Sequence, residues 1–297
     1  MRIAAILIDT GRELLFRKTI AVYFGIVTLV LLFFALALRT DVADGVIASL
    51  SVAGLEASTS RGAFRLGETP PGGGLGGLTA EDFVRYVQLG AAFTLFPLAI
   101  LMSIFATASL VPRMLEKGAI DLLLSKPIGR PALFASRYLG GLLVATLNLL
   151  FLTCGLGSIL ALKTGVWNGG FVWSGLLMSL YFACLLAFVV LVGVWLRSTT
   201  VAVMITAVLF FASLIVRWPH GNRDWPLLIS GRIARFTAVG MVESLYHALP
   251  RTYDFMQAAA DLIRHEGGLQ WGAVIGSALS GAVALGLAII YFSRRDY

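Results

Sequence analysis

The chain has 297 residues, 58% of them hydrophobic and only 13% charged, with a net charge of +7. Soluble domains average about 45–50% apolar and roughly 25% charged, so this composition excludes an ordinary water-soluble globule. The apolar excess lies in long runs and the Arg and Lys flank them, which assigns the positive charge to membrane orientation rather than to nucleic acid.

Residues 2–18 read as an amphipathic helix. Ile3, Ile6, Leu7, Leu14 and Leu15 share one side, with Asp9, Arg12, Glu13 and Arg17 largely elsewhere. Such a helix ahead of a span lies in the interface plane. No small-residue cleavage site follows a short apolar core, so no signal peptide is expected and the first apolar run stays as a helix.

The first span is expected over about 20–38 and the second over 86–111, with Pro97 inside it. Between them, 39–82 is polar and carries the cluster Pro70-Pro71-Gly72-Gly73-Gly74, which propagates neither helix nor strand. This segment reads as a loop, with a helix near 42–57 left open. Residues 112–131 form a basic connecting loop. Further spans are expected over 138–162, 171–196, 200–216 and 271–292, and 217–270 reads as a second long loop. Within that loop, Leu245 to Arg264 has helical periodicity, and 227–249 is apolar enough to dip into the interface. In the last span Gly272, Gly276 and Ser280 form a small-residue row of the kind that lets helices approach closely.

The fold class expected is therefore an all-α integral membrane protein, a single domain with six transmembrane helices and an N-terminal interfacial helix. With the N-terminus inside, twelve Arg and Lys fall on the inner face against five on the short outer segments. That distribution places both termini in the cytoplasm.

The spans carry no Asp, Glu, Lys, Arg or His in their cores, which argues against proton- or sodium-coupled transport. Asn148 is the main strongly polar residue at depth, and it reads as a helix–helix hydrogen-bonding group or a path-lining one. Cys154 and Cys184 read as buried small hydrophobes with no metal spacing, so no metal site is expected. His220, His247 and His265 lie in one loop and read as solvated. A pairing of His247 with Asp254 lacks any nearby nucleophile. GxxxxGK[ST], HExxH and GxSxG are absent, so no catalytic residue is assigned and no cofactor is expected on this chain.

The most informative segment is 111–131. Ala119 to Ser125 makes a short amphipathic helix, broken off by Gly118 before it and ended by Pro127 after it. Glu116, Lys117, Asp121 and Lys126 supply polar contacts, and Leu122, Leu123 and Leu124 an apolar knob. Such a helix suits docking into a groove on a soluble partner.

In these residues the chain resembles the ABC-2 type permeases, the membrane subunits of a group of ABC transporters. The resemblance rests on Glu116, Gly118, Leu122-Leu123-Leu124-Ser125-Lys126-Pro127 and Arg130, followed by Arg137-Tyr138-Leu139-Gly140. Arg12-Glu13 and Arg17 before the first span, and Leu249-Pro250 in the last loop, are also similar to that family. The resemblance implies a separate nucleotide-binding ATPase subunit, carrying ATP and Mg²⁺, that couples through residues 113–130. It further implies a second permease copy or paralogue, an exporter, and the bacterial inner membrane. An ion-coupled carrier and a non-transporting membrane scaffold are the competing classes.

Overall fold

A computed structural model describes residues 18–43, 46–52, 55–58, 79–108, 130–196, 198–221, 237, 239–244, 246, 249–265 and 271–294. The interfacial helix expected over 2–18 lies outside them, apart from Lys18. In chain order the elements are α1 (Lys18–Ala37), β1 (Leu38–Ala43), β2 (Val46–Val52), β3 (Leu55–Ser58), α2 (Ala80–Thr107), α3 (Arg130–Thr164), α4 (Gly169–Leu196), α5 (Thr199–Gly221), α6 (Thr252–Arg264) and α7 (Trp271–Arg294). Six of the helices, α1 to α5 and α7, are long and apolar enough to cross a bilayer. The fold is that of an all-helical membrane protein with one small sheet attached.

Two spans begin earlier than hydropathy alone indicates. Helix α2 starts at Ala80 because the Thr79 hydroxyl accepts from the Asp82 backbone N–H at 3.2 Å. Glu81 and Asp82 sit in its first turn, where acidic residues complement the helix dipole. Helix α3 starts at Arg130, with Pro131 next to it; proline is tolerated in a first turn because its missing N–H has no intrahelical partner there.

The helix left open near 42–57 does not form. Strands β1 and β2 pair antiparallel from Leu38↔Val52 to Ala43↔Val46, with a register shift between Asp41 and Val42. Strand β3 adds through Ser49↔Ser58 to Val52↔Leu55. Short apolar runs are ambiguous between helix and strand, and here the backbone hydrogen bonds go to neighbouring strands. The sheet follows α1 directly. The Lys163 ammonium, near the end of α3, donates to the Leu38 carbonyl at this junction.

Specific contacts show that the helices cross alternately. The Tyr23 hydroxyl, near the start of α1, lies 2.9 Å from the Ala99 carbonyl and 2.7 Å from Ser103 Oγ, toward the end of α2. Phe134, near the start of α3, packs its ring 5.4 Å from that of Phe292, near the end of α7. Tyr138 of α3 donates to the Ala183 carbonyl of α4 at 2.8 Å. One end of the bundle therefore carries the sheet, and the opposite end carries the end of α2 and the start of α3.

Helix α4 is the central post. Phe171, Met178, Tyr181, Phe182, Leu185, Ala187 and Val194 on it are fully buried, and α3, α5, α6 and α7 all pack against it. It comes close to α7, where the Cα of Cys184 lies 2.9 Å from the place a Cβ on Gly281 would occupy. Only glycine allows that approach. The row Gly272, Gly276 and Ser280 does not carry helix–helix contact as expected: Gly272 faces open space and Gly276 faces Arg251. Cys184 is buried, but Cys154 is exposed on the bundle surface rather than buried.

Exposed tryptophans sit near the ends of the spans, where aromatic side chains favour a membrane interface. Trp173 and Trp195 both project from α4, and their separation along the helix is about 33 Å at 1.5 Å per residue, close to the ~30 Å of hydrocarbon a bilayer presents. The contact between Gly281 and Cys184 puts exposed Trp271 of α7 level with Trp173. These two indoles define the boundary on the sheet side.

Candidate functional site

Most of the residues that sequence singles out for coupling lie outside the described residues: Glu116, Lys117, Gly118, Asp121, Leu122, Leu123, Leu124, Lys126 and Pro127. Arg130 opens α3. The described helices fix the ends of that segment, since α2 stops at Thr107 and α3 starts at Arg130, at the end of the bundle opposite the sheet. His220 falls in α5 without a described side chain, and His247 is outside the described residues. His265 caps the C-terminus of α6 in the left-handed conformation, φ 57°, and is exposed.

Asn148 sits in the middle of α3 and is fully buried. Neither its Nδ2 nor its Oδ1 has a hydrogen-bond partner among the described residues. Inside hydrocarbon no water is at hand to substitute, so an unmet amide costs several kcal/mol.

The structure adds a polar site that hydropathy did not reveal, built around α6. Helix α6 is amphipathic, and its face carrying Thr252, Phe255, Ala258, Ala259 and Ile263 is buried in the bundle. At its foot Thr252 Oγ1 bonds to both the Tyr181 hydroxyl of α4 and Ser213 Oγ of α5. All three hydroxyls are buried. The Arg251 backbone N–H donates to Ser277 Oγ of α7 at 3.1 Å. Tyr181 lies eight residues below Trp173 on α4, and Ser277 six below Trp271 on α7. At 1.5 Å per residue the foot of α6 is thus about 9–12 Å beneath the aromatic boundary.

At its head α6 is held by Asn168, which precedes α4 and lies above Trp173. Asn168 Nδ2 donates to Gln88 Oε1 of α2 at 2.8 Å and to the Ile263 carbonyl at 2.9 Å, and Asn168 Oδ1 accepts from the Gly170 N–H at 2.9 Å. The thirteen residues of α6 rise about 20 Å, which matches the span from foot to head. Helix α6 therefore reaches from below the level of Trp173 to above it. It brings charged groups in among the spans. Asp254 is buried and accepts from the Tyr246 hydroxyl, while the Arg251 guanidinium stacks 4.7 Å from the Tyr246 ring centroid. The six spans carry no charge in their cores, and the shorter α6 packs Asp254 and Arg251 beside them. The one signal was Pro250, immediately before a run of helical periodicity: a turn residue that lets the chain reverse.

Six helices long and apolar enough to cross a membrane, one of them the buried α4, with the shorter α6 packed among them, define a multi-pass membrane protein. Residues 16–297 match the ABC-2 family transporter proteins, and the chain belongs to that family. No curated protein matches it. Family membership makes the chain the membrane component of an ABC transport system.

Proposed function

We propose that the chain is the permease subunit of an ABC exporter, driven by a separate ATPase subunit that docks on residues 113–130. The observation carrying this reading is membership of the ABC-2 family over 16–297. It is supported by the sequence of the segment, which connects α2, ending at Thr107, to α3, starting at Arg130, so that a force on it acts on both helices. ATP and Mg²⁺ belong to the ATPase. Nucleotide biases a conformational equilibrium only through different affinities for its two states, so the loop must transmit that difference as a rigid link. Glu116, Asp121, Leu123 and Lys126 are its contacts. A second permease copy or a paralogue completes the assembly in the bacterial inner membrane. The excess of Arg and Lys around the 109–129 end makes that end cytoplasmic and the sheet end external.

The test is co-purification with the ATPase, together with ATP-driven transport in vesicles. Glu116→Ala and a triple Leu122/Leu123/Leu124→Ser variant are expected to abolish both while the permease stays folded. Unchanged co-purification and transport in both variants overturns the proposal.

A second reading draws on Asp254, a carboxylate buried where α6 packs among the spans, which is the kind of group an ion-coupled carrier uses. Uptake driven by a proton gradient in liposomes lacking any ATPase, and lost in Asp254→Asn, would favour it.

A further inference from the structure

Asn148 is fully buried in α3, and neither atom of its amide has a partner among the described residues. Two N–H donors and a carbonyl acceptor are therefore unspent. Its surroundings follow from its neighbours on the same helix. Phe151 and Gly155 stand one and two turns along α3 on the same side of the helix, and both meet α1. The Phe151 ring centroid lies 6.0 Å from that of Phe24, and a Cβ on Gly155 would meet Leu31 Cδ1 at 2.5 Å. Helices α1 and α3 run side by side in the same direction, since Lys163, farther along α3, reaches Leu38 just past the end of α1. Asn148 comes seven residues before Gly155, and Tyr23 eight before Leu31. At 1.5 Å per residue the two differ in height by only about 1.5 Å.

At that height α1 is tied to α2. The Tyr23 hydroxyl lies 2.7 Å from Ser103 Oγ and 2.9 Å from the Ala99 carbonyl, and Ser103 Oγ donates to the same carbonyl at 2.8 Å. These two hydroxyls have one hydrogen each, both engaged, and their oxygens keep acceptor capacity. Three helices thus bring to one level of the bundle a hydroxyl pair with unused acceptors and an amide with unused donors, and the amide does not reach the pair. An unmet amide inside hydrocarbon raises the free energy of this arrangement, and a bond formed in another arrangement lowers the free energy of that one. Both effects bias the equilibrium the same way.

We propose that Asn148 and the Tyr23–Ser103 pair are the two halves of a latch that closes in the ATP-driven arrangement of the permease, when a turn of α3 against α1 and α2 brings the Asn148 amide to the Tyr23 or Ser103 oxygen. This rests on the permease reading above. Ser103 lies on α2 and Asn148 on α3, the two helices that segment 113–130 connects, so a force on that segment acts on both halves.

The experiment is a double-variant cycle with two readouts: the Tm of the full-length permease alone, and ATP hydrolysis by the co-purified permease–ATPase complex in nanodiscs. In the permease alone, Asn148→Leu is expected to raise the Tm and Tyr23→Phe to lower it, and the double variant is expected at their sum because the groups do not touch there. In the complex each single variant is expected to slow hydrolysis about tenfold, the scale of one lost hydrogen bond. The double variant is expected to be no slower than the worse single. Asn148→Gln, which keeps an amide on a longer arm, is expected to retain part of the rate. Rate losses that multiply in the double variant overturn the proposal. So do coupled Tm shifts in the permease alone, which mark a fixed contact or a bridging water. Should Tyr23→Phe fail to fold, Ser103→Ala takes its place in the cycle. A wild-type chain that co-purifies with no ATPase overturns the permease reading and the latch together, whereas multiplying losses in an active complex overturn the latch alone.

Discussion

The Leu262 carbonyl oxygen lies 2.1 Å from the position a Cβ on Gly170 would take. The head of α6 thus rests directly on the backbone of α4, with no side chain between. Gly170→Ala forces backbone against backbone, which no rotamer change relieves. We expect it to cost about 3 kcal/mol or more and to reduce the yield of monodisperse protein in size-exclusion chromatography. Gly240→Ala, where nothing lies within 4 Å, is the control and is expected to be silent.

Asn168 uses both amide hydrogens and its carbonyl oxygen, so its orientation matters as much as its presence. Asn168→Asp keeps the acceptor toward Gly170 but turns the two donors into an oxygen facing Gln88 Oε1 and the Ile263 carbonyl. The expected loss is about 2–4 kcal/mol, from two broken hydrogen bonds and an uncompensated carboxylate. A melting curve measures it, and Asn168→Ala is expected to be the milder change.

The hydroxyls of Thr252, Tyr181 and Ser213 form one unit joining α4, α5 and α6. Thr252 Oγ1 is the atom the other two share, so its removal takes this bond from Tyr181 and leaves Ser213 with the Phe210 carbonyl, and the effects at Thr252 and Tyr181 are coupled rather than additive. Thr252→Val is expected to destabilise by about 1–3 kcal/mol. The double variant Thr252→Val/Tyr181→Phe is expected to cost clearly less than the two singles summed. Additive melting shifts would show that the hydroxyls do not act together.

Asn148 leads to the opposite sign. Its amide is buried and unpartnered among the described residues, so Asn148→Leu, which matches its size without its polarity, is expected to raise the Tm by a few degrees. Transport measured alongside gives its role: a fall despite the gain in stability marks an amide that finds its partners in another state of the cycle.

Much of this architecture is legible in the amino-acid sequence, and the reasons for the rest are specific. The six apolar runs announce themselves because a bilayer demands about 20 apolar residues per crossing. Helix starts do not, since Thr79 extends α2 into polar sequence through a single cap. The sheet has a local signal: Asp44-Gly45 stands in sequence between Ala43 and Val46, the paired ends of β1 and β2, and Asp-Gly between alternating apolar residues favours a hairpin. The depth of Arg251 and Asp254 has no signature in composition. It depends on which hydroxyls Thr252 meets on α4 and α5, and contacts of that range are not written in any local pattern. The leucine-centred segment 119–125 was recognisable by motif, and its surroundings lie outside the described residues.

The burial of α4 along most of its length has a consequence for traffic through the molecule. Among the described residues α4 fills the middle of the bundle, so in the assembly proposed above the route for cargo is the flank, where the second permease copy supplies the opposite wall.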